Sequence, residues 1–125
     1  MLKTKILVVE DNLEICLLYT RLLQKHGFNV AVSYNGEEAL RIVHNYKPDL
    51  IITDLMMPVM DGVEMLQKLR EDPETRELPA IITSAAWDWA HEHQDLWQSF
   101  IGKPANLRQL ITTIDTLIST HNSPE

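Results

Sequence analysis

Five short apolar runs, rich in β-branched residues, constrain the fold of this chain more than any other feature. They predict strands at Ile6–Val9, Val30–Val32, Leu50–Thr53, Ala80–Thr83 and Ser99–Ile101. Because most of the runs do not alternate with polar residues, they are typical of strands buried on both faces of a sheet. A segment with helical periodicity separates each run from the next. This alternation predicts an α/β fold, a doubly wound parallel sheet with helices on both faces.

Five helices are predicted from capping residues and from apolar side chains spaced three or four positions apart. They run from Asn12 to Gly27, from Asn35 to Pro48, from Gly62 to Asp72, from Ala86 to Gln98 and from Asn106 to Ile118. The stripe of the first helix is formed by leucines at positions 13, 17, 18 and 22. In the fourth helix, Trp89, His93 and Trp97 share a face, which predicts both tryptophans as core residues.

Length and charge exclude several classes of protein. The 125 residues fit one domain, expected to span 1–120 with a polar tail at 121–125. Eleven Lys and Arg against 18 Asp and Glu give a net charge of −7, which disfavours nucleic-acid binding. The single cysteine, Cys16, has no partner for an internal disulfide, and no segment resembles a signal peptide or a membrane span. We therefore expect a cytoplasmic protein with no contact to membranes.

Polar side chains follow four of the five predicted strands. Glu10 and Asp11 come after the first, Asp54 after the third, Ser84 after the fourth and Lys103 after the last. In a parallel sheet these positions share one edge, where ligands bind. Three carboxylates placed together repel each other unless a cation intervenes, and carboxylate ligands with water suit Mg²⁺. Helix capping alone explains single acidic residues at such positions, but four compatible strand ends favour a site for Mg²⁺ and a phosphoryl group.

The motifs at these strand ends resemble the receiver domain of two-component response regulators. They are Val9-Glu10-Asp11-Asn12, the block from Asp54 to Gly62 with sequence DLMMPVMDG, Thr83-Ser84-Ala85 and Lys103-Pro104. They occur in the family's order, and the resemblance covers essentially the whole chain. It implies a flavodoxin-like receiver fold with five strands in the order 2-1-3-4-5.

The resemblance also implies a role for each site residue. Asp54 accepts a phosphoryl group from a histidine kinase or a histidine phosphotransfer protein. Glu10, Asp11 and Asp54 hold Mg²⁺ together with the backbone carbonyl of Met56. Ser84 and Lys103 bind the phosphoryl group.

The family's switch mechanism further implies that Phe100 changes rotamer when Ser84 moves towards the phosphoryl group. The surface of the fourth helix, fifth strand and fifth helix then controls a partner protein or a missing C-terminal output domain. Such a protein assists only its own phosphorylation and dephosphorylation, and is not an enzyme acting on other substrates. No output domain follows the last helix, so the chain is expected to be a stand-alone receiver or a fragment of a longer regulator.

The fourth helix departs from the family pattern. Only 19 positions separate Ser84 from Lys103, fewer than is usual, and Trp97-Gln98-Ser99 replaces the customary Gly-Ala before the fifth strand. This predicts a helix that is shortened or packed differently. All three tryptophans lie in this region, and Trp87 is expected to be exposed and to contact a partner. His91 and His93 point to different helix faces, which favours a solvated polar face over a metal site.

Three other functions compete with the phosphoacceptor. A magnesium-dependent aspartyl phosphatase would need a general acid two residues after Asp54, where Met56 stands. A flavodoxin-like cofactor binder would need a Ser-, Thr- or Gly-rich first loop, where Glu10 and Asp11 would repel a phosphate. The remaining alternative is a degenerate receiver acting as a constitutive protein-interaction module. The complete set of site residues argues against it, whereas the unusual fourth helix keeps it open.

Overall fold

The computed structural model describes residues 3–121, which form five strands and five helices in strict alternation. The strands are β1 (Lys5–Val9), β2 (Asn29–Ser33), β3 (Leu50–Thr53), β4 (Ala80–Ser84) and β5 (Ser99–Gly102). The helices are α1 (Leu13–Lys25), α2 (Gly36–Tyr46), α3 (Gly62–Glu71), α4 (Trp87–Glu92) and α5 (Leu107–His121). All five predicted strands are present, and none differs from its predicted range by more than one residue at either end.

The five strands form one parallel sheet in the order β2-β1-β3-β4-β5, which confirms the predicted fold. β1 lies between β2 and β3, with Val9 opposite Ser33 of β2 and Thr53 of β3. Because every strand runs in the same direction, the loops after β1, β3, β4 and β5 open at one edge. The polar side chains that follow these strands therefore lie at the same edge of the sheet, as the alternation of strands and helices predicts.

Two hydrophobic layers cover the faces of the sheet. One face packs against α2, α3 and α4 through residues such as Val43, Leu66 and Ala90. The other packs against α1 and α5 through residues such as Leu23, Leu110 and Ile114. The side chains of β1 and β3 are 1% exposed or less from Ile6 to Val9 and from Leu50 to Thr53, because both faces of these strands are covered.

The predicted apolar stripe of α1 is wrong at three of its four leucines. Leu13, Leu17 and Leu18 are 62%, 59% and 47% exposed, whereas Cys16, Tyr19 and Leu23 are buried. Both sets of residues repeat at helical spacing, so periodicity alone does not distinguish the two faces. Cys16 is a core residue. Leu22, the fourth leucine of the predicted stripe, is half-buried and packs against the core.

The predicted helix from Ala86 to Gln98 is too long. α4 contains six residues and is followed by a 3-10 turn at Gln94–Leu96. Because Trp97 lies beyond both, it does not share a helical face with Trp89, and both tryptophans are half-buried against the first hydrophobic layer. The expectation of a shortened helix is confirmed. We refer to residues 87–98 as the α4 segment.

The last helix reaches the end of the described residues. α5 extends to His121, the first residue of the predicted polar tail, and residues 122–125 of that tail lie outside the described residues. Among residues 3–121, no helix is long and apolar enough to cross a membrane.

Candidate functional site

The ends of β1, β3 and β5 bring three carboxylates and one ammonium group together. One carboxylate oxygen each from Glu10, Asp11 and Asp54 lie within 4.8 Å of one another. The Lys103 Nζ lies 2.8 Å from both Glu10 Oε1 and Asp54 Oδ2. We call these four residues the acidic edge. Its members come from positions up to 93 residues apart in the chain, so only the closed sheet assembles them.

Glu10 is the most deeply buried carboxylate of the acidic edge, with 1% of its surface exposed. Its second carboxylate oxygen accepts a hydrogen bond from the backbone N–H of Asn12, and its backbone carbonyl accepts one from the Cys16 thiol. Burial raises the pKa of Glu10, which the hydrogen bond from Lys103 partly offsets. Burial likewise raises the pKa of the Cys16 thiol, to about 11. Asp11, by contrast, is exposed to solvent.

Asp54 follows β3 and is held by backbone groups of its own loop. Its Oδ1 accepts a hydrogen bond from the Leu55 N–H at 2.7 Å, while Oδ2 faces Lys103. The loop returns closely at Gly62, whose N–H donates to the Leu55 carbonyl. A Cβ atom at Gly62 would lie 2.3 Å from the Asp54 carbonyl oxygen. The loop therefore needs glycine at this point, which fixes the Asp54 backbone at the sheet edge.

Lys103 is the cation of the acidic edge and follows β5. Burial lowers the pKa of its ammonium group, but the hydrogen bonds and charges of Asp54 and Glu10 outweigh burial. The pKa of Lys103 consequently lies above its usual value, and the side chain stays charged at neutral pH. Its backbone N–H donates to the Ser84 carbonyl, and the Lys103–Pro104 peptide bond is cis.

Ser84 ends β4, next to β5, and is 1% exposed. Its Oγ accepts a hydrogen bond from the Ala86 N–H at 3.0 Å, which closes the turn into α4. The hydroxyl hydrogen is still available to a further acceptor at the sheet edge, because this bond uses only an oxygen lone pair.

The remaining predicted site residues lie around this edge rather than within it. Met56 is 62% exposed, and its N–H lies 3.4 Å from Asp54 Oδ1; its carbonyl as a metal ligand stays a prediction. Phe100 is half-buried on β5. Trp87 is 45% exposed, as expected, and its ring packs against Phe100.

Two features near the site escaped sequence reasoning. Arg70 of α3 donates hydrogen bonds to the Leu96 carbonyl and so fastens the α4 segment, although nothing in its sequence context indicates this. The indole N–H of Trp97 donates to the Ala90 carbonyl at 2.9 Å. The short spacing between Ser84 and Lys103 predicted an unusual fourth helix, but it did not indicate which hydrogen bonds stabilise this segment.

Comparison with known proteins places this geometry in a family. The family model of the response regulator receiver domain matches residues 6–115 of the sequence. Among relatives, the chain is 30% identical over 116 residues to the polar-differentiation response regulator DivK of Brucella anthropi, covering 90% of this chain and 94% of DivK. It is 31% identical over 118 residues to the probable transcriptional regulator ycf29 of Pyropia yezoensis, which covers 92% of this chain but only 53% of that regulator.

A solved structure shows the same architecture. The receiver domain of a sensor histidine kinase from Pseudomonas aeruginosa superposes with a TM-score of 0.87 at 26% identity, covering 94% of this chain and 99% of that one. That structure is described with a magnesium ion coordinated in the active-site cleft. Together with the sheet order and the match over residues 6–115, these comparisons show that the chain belongs to the response regulator receiver domain family of two-component signalling.

Proposed function

We propose that this chain accepts a phosphoryl group on Asp54 from a histidine kinase or a histidine phosphotransfer protein of a cytoplasmic two-component pathway. Receiver domains are signalling switches rather than classical enzymes, and they interact with histidine kinases and phosphotransfer partners. One observation carries the assignment to this residue. The Asp54 carboxylate lies 2.8 Å from the Lys103 ammonium and within 4.8 Å of the Glu10 and Asp11 carboxylates.

The acidic edge fits a magnesium ion. Receiver domains bind Mg²⁺ at an acidic pocket, and here three carboxylates meet while a single ammonium group pairs with two of them, Glu10 and Asp54. Glu10, Asp11 and Asp54, with the Met56 carbonyl, would hold the ion, as hard oxygen ligands suit it. When bound, Mg²⁺ would offset negative charge on the oxygens of the transferring phosphoryl group.

Asp54 is the nucleophile of the proposed reaction. A carboxylate oxygen forms a bond to the donor phosphorus while the bond from phosphorus to the donor imidazole nitrogen breaks, and the imidazole leaves with the electron pair. The product is an acyl phosphate on Asp54. Lys103 pairs with the phosphoryl oxygens, and Ser84 donates its hydroxyl hydrogen to one of them. The chain assists its own phosphorylation and dephosphorylation and acts on no other substrate.

The exposed leucines of α1 support a protein donor. Leu13, Leu17 and Leu18 form an apolar surface on the helix that starts two residues after Asp11. An exposed apolar patch of this kind marks an interaction site. A donor docked on α1 would therefore lie beside the acidic edge, with its phosphohistidine close to Asp54.

The proposed output surface includes β5, the edge strand next to β4. The added charge of the acyl phosphate draws Ser84 towards the phosphoryl group, and Phe100 moves into the space that Ser84 leaves. The surface of α4, β5 and α5 then changes and controls a partner protein or an output domain. Trp87 contacts that partner.

Intact-mass analysis tests the phosphoacceptor. The chain is incubated with Mg²⁺ and acetyl phosphate beside an Asp54→Asn variant and an Asp95→Asn control, which removes an exposed acid elsewhere. We expect one phosphoryl adduct in the wild type and in Asp95→Asn, none in Asp54→Asn and none without Mg²⁺. If the wild type forms no adduct and shows no magnesium-dependent binding of beryllofluoride, a constitutive interaction module becomes the better assignment.

A further inference from the structure

Three aromatic rings meet at the surface where α4 faces β5. The ring centroids of Trp87 and Phe100 lie 4.9 Å apart at an interplanar angle of 72°, and those of Trp97 and Phe100 lie 6.0 Å apart. Trp87 and Trp97 are 6.3 Å apart at 63°. These are the edge-to-face and tilted arrangements that aromatic rings prefer. We call Trp87, Trp97 and Phe100 the aromatic clasp.

The clasp joins two elements that have few other contacts between them. Trp87 is the first residue of α4, where no side chain caps the helix, and its ring also packs against His91. Trp97 is fixed by the hydrogen bond from its indole N–H to the Ala90 carbonyl. Phe100 lies on β5 opposite Ile82 of β4. With only six residues in α4, the rings supply packing that a longer helix would provide with its own side chains.

The clasp is also connected to the site. Trp87 stands three residues after Ser84, and the hydroxyl of Ser84 accepts the Ala86 N–H in the turn that starts α4. Phe100 stands three residues before Lys103 on the strand paired with β4. Any movement of the Ser84 hydroxyl towards Asp54 therefore alters the turn that positions Trp87, while any inward rotation of Phe100 breaks its contacts with both indoles.

We propose that Trp87 is a positioning residue that holds Phe100 half-exposed against Trp97 and thereby stabilises the unphosphorylated conformation. The inference rests on the proposed function, because it concerns the switch driven from Asp54. A ligand that favours the switched state binds molecules in which the clasp is open. Its apparent association constant is therefore its intrinsic association constant multiplied by the fraction of molecules with an open clasp. Once Phe100 rotates inward, Trp87 loses one of its aromatic neighbours and becomes more accessible to a partner.

Beryllofluoride binding tests the proposal. Beryllofluoride is titrated with saturating Mg²⁺ into the full chain, and the affinity is measured by calorimetry for the wild type, Trp87→Ala and Trp87→Phe. We expect Trp87→Ala to bind about three- to tenfold more tightly, because the loss of an edge-to-face pair shifts the equilibrium by this factor. Trp87→Phe keeps an aromatic ring and should stay within twofold of the wild type. An unchanged or weaker affinity for Trp87→Ala overturns the proposal.

A second measurement does not depend on removing Trp87. In a variant with Trp89→Phe and Trp97→Phe, Trp87 is the remaining tryptophan. It is excited at a wavelength that tyrosine does not absorb, and its quenching by acrylamide is followed as Mg²⁺ and beryllofluoride are added. We expect quenching to increase, and constant quenching while the ligand binds overturns the proposal. If the wild type binds no beryllofluoride and forms no adduct on Asp54, the proposed function fails as well. Normal binding with unchanged Trp87 behaviour overturns this inference alone.

Discussion

The acidic edge and the α4 segment lie side by side but are stabilised by different forces. In the acidic edge, buried carboxylates share one ammonium group at 2.8 Å, and Asp54 is fixed by the Leu55 N–H. In the α4 segment, aromatic rings pack together and the Arg70 guanidinium donates to backbone carbonyls. A network of charges responds to pH and to a bound cation, whereas aromatic packing responds to shape. The residues proposed for phosphoryl transfer are thus distinct from those proposed for the conformational switch in the α4 segment.

The largest expected effect is at the loop that fixes Asp54. In Gly62→Ala the new Cβ would meet the Asp54 carbonyl oxygen at 2.3 Å and the Leu55 Cα at 2.9 Å. We expect the free energy of unfolding to fall by about 3 kcal/mol, measured by urea denaturation. Gly27→Ala is the control, since its Cβ would meet nothing within 4 Å and only its φ of +88° costs about 1 kcal/mol. Equal losses in the two variants would contradict a close approach at Gly62.

Lys103→Met tests whether the acidic edge is held by charge. It leaves the carboxylates of Glu10 and Asp54 close together without their cation. We expect the free energy of unfolding at pH 7 to be about 2 kcal/mol lower than in the wild type. Lys68→Met, at an exposed lysine of α3, is the control and should change the free energy of unfolding by less than about 0.5 kcal/mol.

The loss of stability in Lys103→Met should depend on pH. Burial raises the pKa of folded Glu10 above its usual 4.5, so the associated stability is fully present below pH 4.5 and is lost as pH rises through the folded-state pKa. Lys103 lowers that pKa, so its removal raises the pKa further. The destabilisation by Lys103→Met should therefore grow between pH 4.5 and pH 7. Urea titrations at both values measure it, and equal destabilisation at the two would contradict an electrostatic role.

A smaller effect is expected where Arg70 fastens the α4 segment. Its Nε and Nη2 donate to the Leu96 carbonyl at 3.1 and 2.9 Å, and its Nη1 donates to the carbonyls of Thr75 and Arg76. We expect Arg70→Met to lower the free energy of unfolding by about 1.5 kcal/mol and to speed amide exchange around residue 96. Arg41→Met, at an exposed arginine of α2, is the control. Unchanged exchange in Arg70→Met would show that other contacts hold the segment.

The smallest effect is expected at Trp97. Trp97→Phe keeps an aromatic ring beside Phe100 but removes the hydrogen bond to the Ala90 carbonyl, so we expect a loss of about 1 kcal/mol. The loss should be the same at pH 4.5 and pH 7, in contrast to that of Lys103→Met. A loss that differed between pH 4.5 and pH 7 would contradict the claim that the α4 segment is stabilised by packing rather than by charge.

The errors of sequence reasoning fall on helices rather than strands. The strands were predictable because continuous apolar runs such as Leu50–Thr53 fit a sheet buried on both faces. The face of α1 was not, because Leu13 and Leu17 repeat with the same period as Cys16 and Leu23. The fourth helix was extended too far because Trp89, His93 and Trp97 fit a helical pattern that the chain abandons after Glu92.

The sequence by itself determined the alternation of strands and helices, and with it the edge at which Glu10, Asp54 and Lys103 meet. These depend on local patterns and on the rule that parallel strands end at a common edge. Only the tertiary structure decided which side of α1 is buried, where α4 ends and which ring packs against Phe100. Such features depend on contacts between residues distant in sequence, such as Arg70 with Leu96, whose free energies are set by distance and burial in the closed fold.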